Sequence, residues 1–267
     1  MSTNQATNKS ASAPAIDARA LDDMISTAHR GIARAMKDIR RPAARVGVVP
    51  SPLGKLLIAE SDRGLATIHY LFISDADRPL AMLRKRFDLI ENQASTERIG
   101  AEIKRYFDGD ASVMSRRVDL SVVESEFQRR ALTALQKVPA GSVITYQGLA
   151  AAVGKPDSQR AIGNTMASNP LPIVVPCHRV VKSDGSIGNY GGGVDNKIKL
   201  LRAEGFKVGR DLRLPQQAVL GHSQTHIFCR PDCSAAKRAN PSRMLIFADP
   251  DCASHAGLRP CKLCRPA

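Results

Sequence analysis

Cysteine placement restricts the folding of this chain more than any other feature, because five of its six cysteines lie in the last 39 residues. Those five are Cys229, Cys233, Cys252, Cys261 and Cys264. Three residues separate the first two and two separate the last two, so each pair can occupy adjacent corners of a tetrahedron around Zn²⁺. A segment this short rarely folds on an apolar core alone, and we predict a zinc-stapled domain. The predicted ligands are Cys229, Cys233, Cys261 and Cys264, with His226 and His255 as alternatives and Cys252 as a small core residue.

The whole chain is long enough for a sizeable core, since 267 residues at about 150 per domain suggest about two domains. It contains no Trp, so the core must rest on aliphatic packing. No apolar run approaches the roughly 18 residues of a membrane span, and the first twenty residues lack the apolar segment of a signal peptide. We therefore predict an unexported, cytoplasmic protein with no membrane partner, in which disulfides are not expected. A monomer is expected as well.

The net charge of +14 is unevenly distributed. Residues 45–125 carry 12 basic and 12 acidic side chains, whereas residues 126–210 carry 12 and 5. The last 47 residues, 221–267, carry 7 basic and 3 acidic side chains. The total alone does not separate a nucleic acid from an anionic membrane, but this distribution predicts a neutral scaffold followed by two parts that contact a polyanion.

Turn residues and hydrophobic spacing divide the chain into five segments. The predicted boundaries are 1–44 for an N-terminal extension with a helix, 45–124 for a small α/β subdomain, 125–210 for a helical subdomain, 211–222 for a linker and 223–267 for the zinc domain. Residues 1–16 are expected to be disordered. The helix that follows, from Asp17 to Pro42, is interpreted as a docking or tethering helix or, alternatively, as a basic arm that contacts DNA.

Within the two middle segments, strands are expected between Val46 and Tyr70, and helices over 78–90 and 95–107. Residues 146–154 and 158–169 form two further predicted helices joined by a tight turn, with Ser158 as a candidate cap, an arrangement typical of a helix-turn-helix.

The densest chemical signal is the segment 173–181, an apolar strand that ends on Cys177, His178 and Arg179. A cysteine becomes a good nucleophile as the thiolate, and a neighbouring base favours that form. Inert packing of a buried cysteine is the alternative.

Six separated motifs give this region a specific resemblance to the O6-alkylguanine-DNA alkyltransferase family. The motifs are Phe127-Gln128-Arg129, Thr145-Tyr146-Gln147, Arg160-Ala161-Ile162-Gly163, Asn169-Pro170 with Pro176-Cys177-His178-Arg179-Val180, Tyr190-Gly191-Gly192, and Leu200-Leu201-Arg202-Ala203-Glu204-Gly205. The resemblance spans about residues 45–210 and implies an α+β fold, with a ribonuclease-H-like N-terminal subdomain before a winged helix-turn-helix subdomain. It also implies irreversible, single-turnover transfer of an alkyl group from O6 of guanine, and from O4 of thymine, in double-stranded DNA to Cys177, with no organic cofactor.

The same resemblance assigns roles to individual residues. Glu204 would orient His178, which would draw the Cys177 proton through a water. Asn169 would brace the active-site turn, and Tyr146 would protonate the leaving guanine and displace the phosphate beside it. Arg160 would fill the base stack vacated by the flipped nucleotide. The implied pocket is lined by Val180, Tyr190 and Gly191, and further implied DNA contacts are Ala161, Gly163 and Arg179. In the C-terminal zinc segment, Arg230 and Arg259 are candidate phosphate contacts.

Two C-terminal motifs resemble the zinc domain of bacterial Ada proteins. They are His226-Ile227-Phe228-Cys229-Arg230-Pro231-Asp232-Cys233 and Gly257-Leu258-Arg259-Pro260-Cys261-Lys262-Leu263-Cys264. In that family the zinc domain precedes the alkyltransferase, whereas here it follows. The resemblance makes Cys229 a zinc ligand and a second acceptor, for methyl groups on DNA phosphates. A purely structural zinc site stays open as an alternative, as do an alkylated-DNA sensor and an Ada-type regulatory switch.

Overall fold

The computed structural model describes residues 17–38, 41–72, 75–110 and 114–266, and the chain divides into two compact units, residues 1–41 and 42–267. The first unit contains one described helix, α1 (Ala18–Asp38). Its apolar side chains Leu21, Met24, Ile25 and Ile32 are exposed. The predicted helix is therefore present, while the predicted disorder of residues 1–16 lies outside the described residues.

The second unit begins with a four-stranded sheet of order β3-β2-β1-β4. Its elements are β1 (Ala43–Val49), β2 (Leu56–Ser61), β3 (Gly64–Tyr70), α2 (Asp77–Arg84), β4 (Asp88–Glu91) and α3 (Gln93–Phe107). Strands β1, β2 and β3 are antiparallel neighbours, and β4 runs parallel to β1. The Asn92 side chain caps α3 by accepting from the Ser95 backbone N–H at 3.0 Å.

The helix predicted over 78–90 is wrong in its second half. It ends at Arg84, and residues 88–91 form β4, whose backbone pairs with Ala43–Val46 of β1. Pairing with a strand more than 40 residues away overrides the local helical spacing, while buried Phe87 anchors the turn between the two elements.

The helical part of the second unit follows. Its elements are α4 (Glu126–Leu135), β5 (Ser142–Thr145), α5 (Tyr146–Ala152), α6 (Gln159–Ala167), β6 (Val180–Val181) and α7 (Val194–Ala203). Thr145 caps α5 by accepting from the Gly148 N–H at 2.9 Å. Ser158 precedes α6 but makes no capping hydrogen bond, so the predicted cap is not formed. Helices α5 and α6 are the predicted helix pair, and their short connection fits a helix-turn-helix.

Residues 173–175 are buried, as predicted, but they are not a strand. The chain turns here: the Val175 N–H donates to the Leu171 carbonyl at 2.8 Å, and Ile173 has a φ of 76°, in the left-handed region. Cys177–Arg179 then form a 3-10 turn that leads directly into β6. The turn places Cys177 and His178 on a compact corner rather than on opposite faces of an extended strand.

The C-terminal segment continues the sheet of the helical part. Its elements are β7 (Val219–His222), β8 (Ile227–Cys229), α8 (Ser234–Lys237), β9 (Met244–Phe247), α9 (Pro250–His255) and β10 (Arg259–Pro260). Strand β9 pairs antiparallel with both β7 and β5, which gives six strands in the order β10-β8-β7-β9-β5-β6. The last four residues of the predicted linker 211–222 are β7, so they belong to the sheet.

The structure is mixed α+β, which confirms the predicted fold class, and its core is mostly aliphatic with a few aromatic side chains such as Tyr106 and Phe206. Across the described ranges, no helix combines the length and the apolar character needed to cross a bilayer.

Candidate active site and metal centre

Cys177 lies in the 3-10 turn before β6 and is 5% exposed. The Asn169 side-chain amide donates to the Cys177 sulfur at 3.1 Å and to the Val175 carbonyl at 2.8 Å, so one side chain ties the sulfur to the preceding turn. Burial raises the pKa of the Cys177 thiol, whereas the Asn169 hydrogen bond, the Lys197 charge and the Tyr190 hydrogen bond oppose that rise. The site therefore holds a thiol that is buried from solvent, with neighbouring groups that stabilise its thiolate form.

His178 and Glu204 form a fully buried pair, with 2.9 Å between His178 Nε2 and Glu204 Oε1. Burial opposes ionisation of Glu204, but the His178 contact and the Arg179 guanidinium lower its pKa to about 2. Burial lowers the pKa of His178, although Glu204 opposes that shift. His178 Nδ1 is buried and has no hydrogen-bond partner within the described part of the chain. The result is a neutral imidazole, oriented by a carboxylate, with one nitrogen left to accept a proton.

Arg179 lies inside this network and not on a DNA-facing surface. Its Nε lies 3.0 Å from each Glu204 oxygen, and its Nη1 donates to the Val138 carbonyl at 2.5 Å. The side chain is 8% exposed. The prediction that Arg179 contacts DNA is therefore corrected: a guanidinium bound in this way neutralises and fixes Glu204.

Two of the three predicted pocket residues, Val180 and Tyr190, pack in the same apolar cluster as Cys177. Val180 is buried, and the Tyr190 hydroxyl lies 3.0 Å from that of Tyr70 and acts on the Cys177 thiol by opposing the rise of its pKa. A Cβ on Gly191 would lie 3.5 Å from the Ala167 carbonyl, so α6 approaches this loop closely. Tyr146, the first residue of α5, is half-buried, and its pKa is raised by burial and then by the Cys177 charge.

Three residues of this site carry no motif in the sequence: Tyr70, Tyr106 and Lys197. The Tyr106 hydroxyl donates to Glu204 and lies 3.4 Å from His178 Nε2. Lys197 is fully buried, and its Nζ donates to the carbonyls of Val180, at 2.7 Å, and Ile187. Burial lowers the pKa of Lys197 to about 8, although the Cys177 charge opposes that shift. The helical spacing of Ile99, Ile103 and Tyr106 on α3 predicts a buried helix face. It does not indicate that Tyr106 contacts Glu204.

The outer face of α6 is open. Arg160 is exposed, Ala161 and Gly163 are half-exposed, and nothing lies within 4 Å of a Cβ built on Gly163. The structure thus places these predicted DNA contacts on one accessible helix, whereas Arg230 and Arg259 are exposed on the C-terminal segment.

The four predicted zinc ligands converge. The sulfur atoms of Cys229, Cys233, Cys261 and Cys264 all lie within 4.8 Å of one another. A tetrahedral zinc site with Zn–S bonds of about 2.3 Å needs sulfurs about 3.8 Å apart, which this arrangement allows. His226 and His255 are outside the group, and Cys252 packs in an apolar cluster, as predicted.

The four sulfurs differ in their neighbours. Cys233 accepts backbone N–H groups of Ala235 and Ala236, and Cys261 accepts those of Cys264 and Leu263. The Arg230 N–H donates to Cys264 at 3.4 Å. The Cys229 sulfur lies beside those of Cys261 and Cys233, and the other three sulfurs have sulfur neighbours as well.

Comparison with known proteins gives two family matches. The DNA-binding domain of 6-O-methylguanine DNA methyltransferase matches residues 126–206, and the metal-binding domain of Ada matches residues 207–267. A methylated-DNA–protein-cysteine methyltransferase of Methanosarcina barkeri is 33% identical over 157 residues, which are 59% of this chain and 94% of that protein. The bifunctional transcriptional activator/DNA repair enzyme Ada of Escherichia coli is 34% identical over 167 residues, 61% of this chain. The match spans 46% of Ada, about half of its length. A crystal structure of Mycobacterium tuberculosis OGT in complex with DNA aligns with a TM-score of 0.48 at 28% identity, covering 61% of this chain and 92% of that one.

A buried cysteine with a histidine–glutamate pair, set beside a helix pair in a basic segment, defines a class of DNA-binding proteins that accept an alkyl group on their own sulfur. With a relative covered over 94% of its length at 33% identity, this chain belongs to the methylated-DNA–protein-cysteine methyltransferase family. It also carries the zinc-binding domain of Ada, which supplies the four-cysteine metal site.

Proposed function

We propose that this protein repairs alkylated double-stranded DNA by moving a methyl or larger alkyl group from O6 of guanine, and from O4 of thymine, onto Cys177. The observation that carries the proposal is a pair of hydrogen bonds on two adjacent residues: Asn169 donates to the Cys177 thiol, and the Glu204 carboxylate holds His178. An inert core cysteine needs neither.

The chemistry is one in-line displacement. The Cys177 thiol gives its proton to His178 Nδ1 through a bridging water, and the ionised Glu204 stabilises the resulting imidazolium. The thiolate then attacks the alkyl carbon, so an S–C bond forms while the C–O6 bond breaks and its electron pair stays on guanine. The Tyr146 hydroxyl protonates the leaving O6 and recovers a proton from the His178 imidazolium through solvent. The net reaction therefore moves the thiol proton to guanine and leaves His178 and Tyr146 neutral. The thioether is stable, so each molecule reacts once.

The target base is unreachable within a duplex and must be turned out of the stack, at a cost of a few kcal/mol. Arg160 on the open face of α6 replaces the missing base, and the small side chains Ala161 and Gly163 let that helix approach the minor groove. Tyr146 displaces the neighbouring phosphate. The protein does this as a monomer, in the cytoplasm of a bacterial cell, where the nucleoid is reached directly.

The test is to incubate the protein with duplex DNA labelled on the O6-methyl group of one guanine and to map the label by peptide mass spectrometry, with unmethylated duplex as the control. Stoichiometric label on Cys177 is the expected result. Tight binding to methylated DNA without label on Cys177 would instead identify a sensor, and a loss of the label from Cys177 over time would contradict the single-turnover reaction.

We further propose that Cys229 accepts methyl groups from DNA phosphotriesters. Zinc, when bound, keeps all four sulfurs as thiolates, and N–H donors to a thiolate reduce its nucleophilicity by stabilising its charge. All four sulfurs have sulfur neighbours. Backbone N–H groups lower the pKa of Cys233 and of Cys261 and oppose its rise at Cys264, whereas the pKa of Cys229 is raised by burial and then by the sulfurs of Cys261 and Cys233. Cys229 is therefore the most nucleophilic of the set, and Arg230 and Arg259 lie on the same segment to bind the phosphates.

DNA labelled on phosphate methyl groups tests this second reaction. Label on Cys229 of the zinc-loaded protein, and not on the other three ligands, is expected. Label on none of the four would make the metal site structural, and label on Cys264, which is more exposed, would show that access decides which sulfur reacts.

A further inference from the structure

The zinc segment, residues 223–267, contacts the preceding alkyltransferase part, residues 42–210, at the three places described below. Strand β9 pairs with β5, with Phe247 opposite Ser142 and Ile246 opposite Val143. Strand β5 ends at Thr145, so this pairing lies directly before Tyr146. On its other edge β5 pairs with β6, where Ile144 lies opposite Val180. One sheet therefore runs from the strand that ends in Cys229 to the strand that follows Cys177.

The second contact is between the 3-10 turn Pro241–Arg243 and α5. A Cβ on Gly148 would lie 3.1 Å from the Pro241 carbonyl, so the backbone of the turn lies directly against the first turn of the helix. The Asn240 side chain closes the turn by accepting from the Ser242 N–H at 3.0 Å and from its hydroxyl at 2.9 Å. The first turn of α5, which begins at Tyr146, is thus bounded by a loop that the zinc segment supplies.

The third contact reaches the end of α7. A Cβ on Gly205 would lie 3.8 Å from the Cys252 sulfur, and Cys252 packs in the same apolar cluster as Leu201 and Phe206. Gly205 follows Glu204 directly. The zinc segment therefore abuts both the helix that begins with Tyr146 and the residue next to the carboxylate that orients His178.

We propose that the zinc segment positions the Cys177 site: strand β9 and the turn Asn240–Arg243 hold the first turn of α5 against DNA, and the four zinc ligands keep this segment folded. Guanine repair at Cys177 then depends on the zinc site, even though no zinc ligand contacts the reacting atoms. This inference rests on the proposed function for its kinetic readout, but its structural readout does not.

The decisive variant is Asn240→Ala in the full-length, zinc-loaded protein, since it loosens the turn without touching a zinc ligand. Hydrogen exchange of the backbone in residues 143–152 should become faster. The ratio of the Cys177 alkylation rate on duplex DNA to the rate on free O6-methylguanine base should fall about tenfold, because misplacing Tyr146 costs the phosphate contact that only the duplex offers. A general loss of stability would lower both rates together and leave the ratio unchanged.

Ser254→Ala is the matched control. It also removes one local hydrogen bond of the zinc segment, from Ser254 to the Pro250 carbonyl at 2.9 Å, but Ser254 is exposed and lies on no contact described above. Its exchange and its rate ratio should match those of the unchanged protein. Zinc content is measured in both variants.

A double variant, Cys261→Ser with Cys264→Ser, provides the second arm by removing two ligands. It should accelerate exchange in residues 143–152 at least as strongly as Asn240→Ala. The inference would be overturned if Asn240→Ala changed neither the exchange nor the rate ratio and the double variant left the exchange unchanged. That result would show that the zinc segment and the Cys177 site act independently. If Cys177 of the unsubstituted protein is not alkylated, the proposed function is wrong. The exchange data still decide whether the zinc segment positions the first turn of α5.

Discussion

The two cysteine sites of this protein hold sulfur in opposite ways. Cys177 is influenced by the side chains of Asn169, Lys197 and Tyr190, it directly precedes the His178 that pairs with Glu204, and its pKa is raised by burial. The four zinc cysteines are tuned by backbone N–H groups and by one another. In the proposed reaction a base generates the thiolate of the first site, whereas in the second site a bound metal ion would maintain the thiolates. A site of the first kind depends on distant residues, and a site of the second kind depends on spacing along the chain.

Removing the Cys177 sulfur should give the largest effect. Cys177→Ser replaces a thiol by a hydroxyl that His178 cannot ionise at neutral pH, so methyl transfer from guanine should fall by at least about 1000-fold. Zinc content should stay at one ion per chain, measured by metal analysis of the purified variant. Zinc loss in this variant would break the comparison by showing that the metal site needs an intact Cys177 site.

Glu204→Gln should give the next largest effect. It keeps an oxygen that can accept from Arg179 but removes the negative charge that both His178 and Arg179 face, so alkylation of Cys177 should slow about 100-fold. An uncompensated buried guanidinium should also lower the free energy of unfolding by about 3 kcal/mol, measured by urea titration. Glu124→Gln is the control, because its contact with Arg86 is exposed. Equal stability of the two variants would contradict the role of Arg179 inferred from its burial.

The pH dependence separates the two kinds of site further. His178 must be neutral to accept the thiol proton, and burial lowers its pKa below the usual 6.5, so the neutral form persists to lower pH than in an exposed histidine. The acid limb of the single-turnover rate at Cys177 should accordingly have its midpoint below pH 6.5. Glu204 stays ionised across that range because its pKa is about 2. Rates measured between pH 5 and pH 8 check this, and a midpoint at or above 6.5 would exclude His178 as the base.

Much of both sites could be predicted from the sequence, because their central residues are close neighbours along it. Cys177, His178 and Asn169 lie within ten residues, and the zinc ligands form two short pairs. Residues that lie so close together in the sequence can be predicted directly from local motifs. Arg179 belongs to the same motif, yet its role was mispredicted, since a motif gives the type of a residue and not the direction of its side chain.

The remaining features depend on contacts between distant segments. Tyr106 reaches Glu204 across 98 residues, and Tyr70 reaches Tyr190 across 120. The pairing of β9 with β5 joins two segments that sequence spacing separates by a linker. Each of these contacts is decided by which surfaces bury each other in the folded chain, and an apolar spacing such as that of α3 is satisfied by many partners.

The smallest effect should come from Tyr70→Phe, which tests how far the side-chain network around Cys177 extends. Tyr70 lies on β3, in the neutral part of the chain, and its hydroxyl lies 3.0 Å from the Tyr190 hydroxyl that acts on the Cys177 thiol. Removing one buried hydroxyl should cost about 1 kcal/mol of stability, and alkylation should slow about threefold because Tyr190 loses its anchor. Phe72→Ala, at an exposed ring beside Tyr70, is the control for local packing. A loss as large as that of Glu204→Gln would place Tyr70 among the reacting groups, and an unchanged rate and stability would show that the network ends at Tyr190.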